Sequence, residues 1–471
     1  MSPEERRTCT ALDLSDRTVD AARVTPDFRD GDFSRTDFTG PVNFSGAVFE
    51  TRVDFSGCVF TERPDFSRAV FRERVFFVGA RFEAGADFHE VDFERFANFE
   101  NLKVEGEARF TGAMFRTGLT MENSIVKGDL RFDRADFPKT SQMGPLTATR
   151  VDLRLAVFPR RVRMMMIADE IRCERSMFTG GVQFLLGGAD IVLKDSELGP
   201  ASLLAMHTGL HYHEDRPPRL VTLSGTDVSH LTISRVDLSA CKFIYAHNVD
   251  KLRVNADDAF GWTPQSLWIT RRQISGDEVR WRALYGSERG RRLWRPPSSW
   301  PDLGAPATAS QVIKSYRALR KAREEAKDEP GAADFYYGEM DMRRLGKRLE
   351  ARDNRRAGRW RGWLSSRGEY TLLWLYWLTS GYGLRAWRAF TALAVVAVLS
   401  AGAFDLWGFP TSAHHDYAYC LQFTLRAATS FLRGTDQTLS TAGQWMELAL
   451  RLIGPLLFGL AVLALRGRVK R

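Results

Sequence analysis

A large apolar residue returns at a fixed interval from Phe33 to Phe137, and few folds can hold such a pattern. Phe33, Phe44, Phe55, Phe66, Phe77, Phe88, Phe99 and Phe110 are each 11 residues apart, and Met121 and Phe132 continue the series. A second series runs five residues behind it: Phe38, Phe49, Phe60, Phe71, Phe82, Phe93, Val104, Phe115, Val126 and Phe137. The position two before the aromatic is often small, as at Gly31, Ala47, Cys58, Ala69, Ala80, Ala86, Ala97, Ala108, Ala113 and Ala135. Helices repeat at 3.6 residues and strands at 2, so neither explains this spacing. Steps of five and six predict a coil with short flat sides that turns a corner after each. One large side chain per side points inward, and its small neighbour shares the narrow interior.

The pattern breaks near 138–150 and returns less regularly. Leu153, Cys173 and Leu193 are 20 apart, as are Phe158, Phe178 and Leu198, and Leu223, Val228, Ile233, Leu238 and Phe243 restore a step of five. Residues 27–250 therefore read as one solenoid of about ten coils, roughly 45–50 Å long at the usual strand spacing. Residues 1–26 are a lead-in. Cys58 and Cys241 take small inward positions, so burial is expected of them. The strings Ala86-Asp87-Phe88, Ala97-Asn98-Phe99 and Ala135-Asp136-Phe137 resemble the unit A-(D/N)-(L/F)-x-x of the pentapeptide-repeat family. That resemblance implies a right-handed quadrilateral β-solenoid.

Composition narrows the class. The chain is 44% hydrophobic and 27% charged over 471 residues, which excludes intrinsic disorder. Five cysteines without a C-x-x-C pair exclude a disulfide framework and the common zinc-finger spacing. Residues 1–30 hold no apolar run, so no secretory leader is expected there. Charge is unevenly placed, with 21 acidic against 15 basic residues over 27–137 and a net +11 over 251–385.

Residues 251–310 read as an irregular linker. From 311 the pattern turns helical, with Ile313, Tyr316, Leu319 and Ala322 on one face and Phe335, Met342, Leu345 and Leu349 at heptad-like intervals after Pro330-Gly331. A helical hairpin with a tetratricopeptide-like look, followed by a basic juxtamembrane collar, is expected over 311–367. The collar residues expected to face lipid are Arg343, Arg344, Lys347, Arg348, Arg352, Arg355, Arg356, Arg359 and Arg361.

Two apolar stretches follow within 368–471. A hydrocarbon core of about 30 Å needs about 20 helical residues, and Trp387–Trp407 and Trp445–Leu465 both reach that length. Arg385 and Arg388 precede the first span, and Arg466, Arg468, Lys470 and Arg471 follow the second. The positive-inside rule then places both termini and the solenoid in the cytoplasm of a bacterial inner membrane, with 408–444 outside. Glu447 and Arg451 stand four apart in the second span, on one helix face, where ionisable groups are costly and pair. Thr379-Ser380-Gly381-Tyr382-Gly383 looks like a potassium-channel filter, but it precedes the first span, so a turn after an interfacial helix is expected.

The stretches "FYYGEMDMRR", "LTSGYGLRAWRA" and "LRLIGPLLFGLAVLALRGRVKR" resemble a bacterial architecture in which pentapeptide repeats precede a two-span region distantly similar to two-transmembrane ion-channel domains. The filter of such channels has no counterpart in "TLRAATSFLRGTDQTLSTAGQW", so selective potassium conduction is not expected. His211-x-His213 and His414-His415-Asp416 each lack a third and fourth ligand, and no metal or cofactor is expected.

These readings point to a membrane-anchored pentapeptide-repeat scaffold that presents a cytoplasmic rod for protein interaction, without catalysis. The alternative is a non-selective or degenerate two-span channel-like membrane protein. Anionic inner-leaflet lipid and a protein of unread identity are the expected partners. A homo-oligomer fits both readings. Nucleic acid is not expected, and mimicry of DNA would need a far more acidic surface than 27–137 carries.

Overall fold

A computed structural model of the chain describes residues 31–469 except 208, 210–215, 257, 266–268, 287, 301–303, 305–306, 411–415 and 430–438, together with the backbone of 7–9, 12–13 and 18–19. Side chains of 288–290, 429 and 463–469 are not described. The chain divides into two compact units, Met1–Gln311 and Val312–Arg471.

The first unit is a four-sided β-solenoid of about 10 turns. Its two eleven-residue series resolve into four parallel ladders, because successive members of a series fall on opposite sides of a 22-residue coil. One ladder runs Phe38, Phe60, Phe82, Val104, Val126, Ala148. The others stack ring on ring: Phe33, Phe55, Phe77 and Phe99 at 4.9–5.1 Å, Phe44 to Phe132 at 4.8–5.1 Å, and Phe49 through Phe178 at 4.4–5.3 Å. That is the separation of neighbouring strands, so backbone pairing and aromatic stacking have the same period. All of these rings are buried.

The corners explain the rest of the repeat. The residue two after one inward series sits in the left-handed region, as Gly46 (φ 66), Gly57 (φ 66), Arg35 (φ 56) and Asn101 (φ 58) show. The Asp or Asn before the inward residue accepts a hydrogen bond from the amide two positions on: Asp54 from Ser56, Asp65 from Ser67, Asn98 from Glu100. Such side-chain turns are why short polar residues recur there. From about residue 150 the coil tightens to 20 residues, with Ile171 beside Ile191.

Two expectations need correction. Residues within the lead-in 1–26 form strands that extend the ladders: Cys9 lies beside Phe38, Leu12 beside Val42 and Val19 beside Phe49. Cys9 and Val19 stand where the next coil has Phe38 and Phe49, and the offset to that coil is 29–30 residues rather than 22, which hides the coil in the sequence.

Residues 251–310 are in large part an ordered cap rather than an irregular linker. Strands Gly261–Trp262 and Gln273–Ile274 pair antiparallel, and helices α1 (Gly276–Tyr285) and α2 (Glu288–Leu293) follow. Ile274, Val279 and Trp294 form a small core with Ile269 and Trp300. The start of α1 closes the last coil. Asp277 accepts from the Phe243 amide at 2.9 Å, Arg280 donates to the Ala240 carbonyl at 2.7 Å, and Phe260 covers Phe243 at 5.8 Å. A solenoid end exposes unpaired amides and carbonyls, and polar side chains satisfy them here.

Burial pushes the Asp277 carboxyl up to about 6, against the pull of the Phe243 and Ile244 amides and of Arg280 and Lys242. A carboxyl raised on folding contributes stability that is full below its unfolded value and lost as pH rises through about 6. The stability of wild type relative to Asp277→Asn should therefore fall between pH 4 and 7.5, by up to roughly 3 kcal/mol. Denaturant melts of both proteins across that range check it, and a flat difference would refute the buried titration.

Candidate functional site: a polar joint beside two apolar helices

A helical hairpin, α3 (Ala309–Glu325) and α4 (Glu329–Arg356), enters the second unit from Val312 onward. Asp328 caps α4 by accepting from the Gly331 amide at 3.0 Å, with Pro330 in the first turn, where its missing N–H costs nothing. Val312, Tyr316, Leu319, Phe335 and Met342 are buried, while Ile313, Leu345 and Leu349 are half-buried. Buried Glu339 binds Arg317 (3.3 Å), Arg320 (3.1 Å) and Arg343 (2.6 Å), tying the two helices together.

Helix α5 (Trp360–Ser380) runs back along α4 and ends at Gly381. The filter-like string is the turn that leaves it. Gly381, Tyr382 and Gly383 are all left-handed, at φ 54, 61 and 76, and the chain then enters α6 (Ala386–Ala403). Tyr382 points inward and donates to Asp341 at 3.2 Å. Asp341 also holds Arg344 at 2.7 Å, and Arg344 lies over the Trp377 ring at 4.4 Å. The Trp377 indole donates to the Tyr337 hydroxyl at 2.8 Å, and Arg388 of α6 covers Trp377 at 5.4 Å. Burial, and then the adjacent Asp341, push the Tyr382 hydroxyl far above the phenol range, so it stays a donor. This cluster bolts α4, α5 and the start of α6 into one joint.

A π-helical turn, Phe404–Gly408, extends α6. Helix α7 (Tyr417–Thr429) and helix α8 (Thr441–Val469) complete the unit. Ala386–Gly408 and Thr441–Val462 are long and apolar enough to cross a membrane. Only 22% of each apolar window is buried, whereas a core helix of a soluble domain would be mostly covered. Helix α7 is absent from the sequence reading of 408–444. Its signal is the spacing of Cys420, Phe423 and Ala427, all buried against α6 and α8. Close approach requires a glycine at 454, because a Cβ there would lie 2.4 Å from the Ala428 carbonyl oxygen. Glu447 and Arg451 pair at 2.5 Å, both largely covered.

The nine basic residues expected to face lipid divide. Arg343 is bound to Glu339, Arg344 faces the joint, and Lys347 bridges Glu350 (3.0 Å) and Glu369 (3.2 Å). Arg343 and Arg344 are taken up by carboxylates one turn back on α4, and Lys347 ties α4 to α5 through Glu369. Arg348, Arg352, Arg355, Arg356, Arg359 and Arg361 are exposed, as is Arg367. The histidine pairs at 211/213 and 414/415 lie outside the described residues, among which no group of three or more His, Cys, Asp or Glu side chains is placed to hold a metal. Cys58, Cys173, Cys241 and Cys420 are buried. Burial pushes the Cys173 and Cys241 thiols well up, which disarms them as nucleophiles.

The family model for pentapeptide repeats (9 copies) matches residues 26–69 and 55–102, a stretch that includes the phenylalanine series from Phe33 to Phe99. No curated protein sequence matches the chain.

Proposed function

We propose that the chain is a membrane-anchored scaffold whose solenoid presents a protein-binding surface in the cytoplasm, without catalysis. The observation that carries this reading is the pairing of a solenoid cored by buried aromatic ladders with two apolar helices left mostly uncovered. Outward side chains of the solenoid form compensated charge ladders, such as Glu107 with Arg63, Arg109 and Arg131. They suit a large flat partner better than a small substrate, which needs a concave, apolar pocket. Basic flanks on both spans favour a cytoplasmic solenoid and a bacterial inner membrane.

A channel-like role is the second reading, favoured by α7 packing against both apolar helices and by the largely covered Glu447–Arg451 pair. Against it, the crevice where α6, α7 and α8 meet is about 40 Å³ and lined by Leu393, Val396, Leu425, Leu450, Phe458 and other apolar groups. Photo-crosslinking from outward solenoid positions in native membranes should capture one recurring protein. Purified full-length protein in liposomes should give no potassium-selective flux, and Glu447→Gln should mainly lower stability. A potassium-over-sodium conductance abolished by Glu447→Gln in folded protein would overturn the scaffold and promote the channel.

A further inference from the structure

We propose that α5 lies in the headgroup layer of the membrane as a third lipid-contacting helix, its apolar stripe dipped into the acyl boundary and its arginine-rich end held by lipid phosphates. The inference rests on the anchoring reading of α6 and α8 and adds what the segment before them does.

Helix α5 is apolar on two sides for two different reasons. One side, around Ser366, Leu373, Trp377 and Ser380, packs on α4 and the joint. At helical spacing on the opposite side stand Trp360, Leu364, Leu375 and Leu378, all exposed, with Trp363 and Trp374 on one flank and Leu372 on the other. Trp360 is 66% exposed and Leu372 68%, far beyond what a stray surface residue explains when the stripe runs the whole helix. The sequence predicts an interfacial helix before the Gly381 turn, but not which of its sides is free, because the α4-facing side is apolar as well.

Charge names the occupant. Arg361 and Arg367 flank the stripe, and Arg352, Arg355, Arg356 and Arg359 crowd the α4–α5 corner at the same end, all exposed. Glu350 and Glu369, the nearest acids besides Asp353, are engaged by Lys347. Arginine beside tryptophan and leucine is the composition of a helix lying in the bilayer interface. Arg361 rests over Trp360 at 5.3 Å and Arg367 over Tyr370 at 5.5 Å, so cation and ring are presented together. At its other end α5 turns through the joint into α6, whose Trp387 is exposed at the start of the span. Twenty-one residues reach roughly 30 Å, yet Arg361, Arg367 and Glu369 and the charged α4 alongside make crossing costly. Lying flat satisfies both the stripe and the charges.

The test uses full-length protein in vesicles of phosphatidylcholine with phosphatidylglycerol. Nitroxides are placed at Leu364→Cys and Leu375→Cys, with Val398→Cys on α6 and exposed Arg68→Cys on the solenoid as references. Signal from label taken up by the unsubstituted chain is subtracted. Accessibility to oxygen, which concentrates in lipid, is compared with accessibility to a water-soluble nickel chelate. The expected result is an oxygen-to-nickel ratio at 364 and 375 several-fold above that at 68. Nickel accessibility equal to position 68 would overturn the proposal, and so would shielding from both reagents, which would mean a protein covers the stripe. A lipid-like ratio at 398 with either of those results leaves the anchor standing and defeats only α5, whereas a water-like ratio at 398 defeats the anchor itself. In pure phosphatidylcholine, or with Arg355→Gln, Arg356→Gln and Arg359→Gln together, the ratio at 364 should fall by at least half while that at 375 holds. An unchanged ratio at 364 would overturn the phosphate contact.

Discussion

Phe77→Asp is expected to abolish the cooperative unfolding transition of residues 1–311, while Phe76→Asp, one position away, leaves it nearly unchanged. Phe77 is fully buried, stacked between Phe55 (4.9 Å) and Phe99 (5.1 Å) and edge-on to Phe66 (5.6 Å) and Phe88 (5.4 Å). Losing a buried phenylalanine costs about 3–5 kcal/mol, and an unpaired carboxylate among phenyl rings adds several more. A typical domain has only about 5–15 kcal/mol to lose. Each coil rests only on its neighbours, so a failed coil releases those on both sides. Phe76 faces outward beneath the Arg52 guanidinium at 4.4 Å, where an aspartate would meet a cation. Far-UV circular dichroism melts of the two variants decide the matter. Equal stability of both would mean that the inward and outward assignments are wrong.

The aromatic solenoid was legible because its ladders are built from one large residue type at a fixed step. Where the same geometry uses small or aliphatic residues, as at Cys9, Leu12 and Val19, the step is present but the signal is lost. The cap was hidden for a different reason. Its key contacts join single polar residues far apart in the chain, such as Asp277 with the Phe243 amide, and no periodicity marks such a pair. The collar was half legible. Composition gave ten basic residues between Arg343 and Arg367, but only spacing tells which turn inward: Asp341 three before Arg344, Glu339 four before Arg343 and Glu350 three after Lys347. The turn at Gly381–Gly383 was readable from its place in the chain, whereas the burial of Tyr382 against Asp341 needed α4 and α5 side by side.

Arg272→Met should be the most damaging single change in the cap, and more damaging than losing Arg272 and Glu278 together. Glu278 is fully buried and Arg272 only 2% exposed. The Arg272 guanidinium meets both carboxylate oxygens at 2.7 Å and donates to the Gln273 carbonyl at 3.1 Å. Arg282 adds a second cation at 2.6 Å and lies over Trp294 at 4.5 Å. Removing one member of a buried pair leaves the other charge without its partner and costs about 3–5 kcal/mol, while replacing both by apolar groups is often close to neutral. Arg282 is partly accessible and offers partial compensation, so the lower end of that range is expected for Arg272→Met. The pair Arg272→Met with Glu278→Leu should recover most of the loss in residues 1–311, measured by denaturant unfolding of the four proteins of the cycle. Hydrogen exchange should localise the damage. The Phe243 amide, held by Asp277 at the head of α1, should lose protection in Arg272→Met, and amides in the middle coils around Phe77 should keep theirs. If the single variant costs less than about 1 kcal/mol, or the double is as unstable as the single, the buried ion pair is not what fastens the cap to the end of the stack, and the aromatic contact of Phe260 with Phe243 must hold it instead.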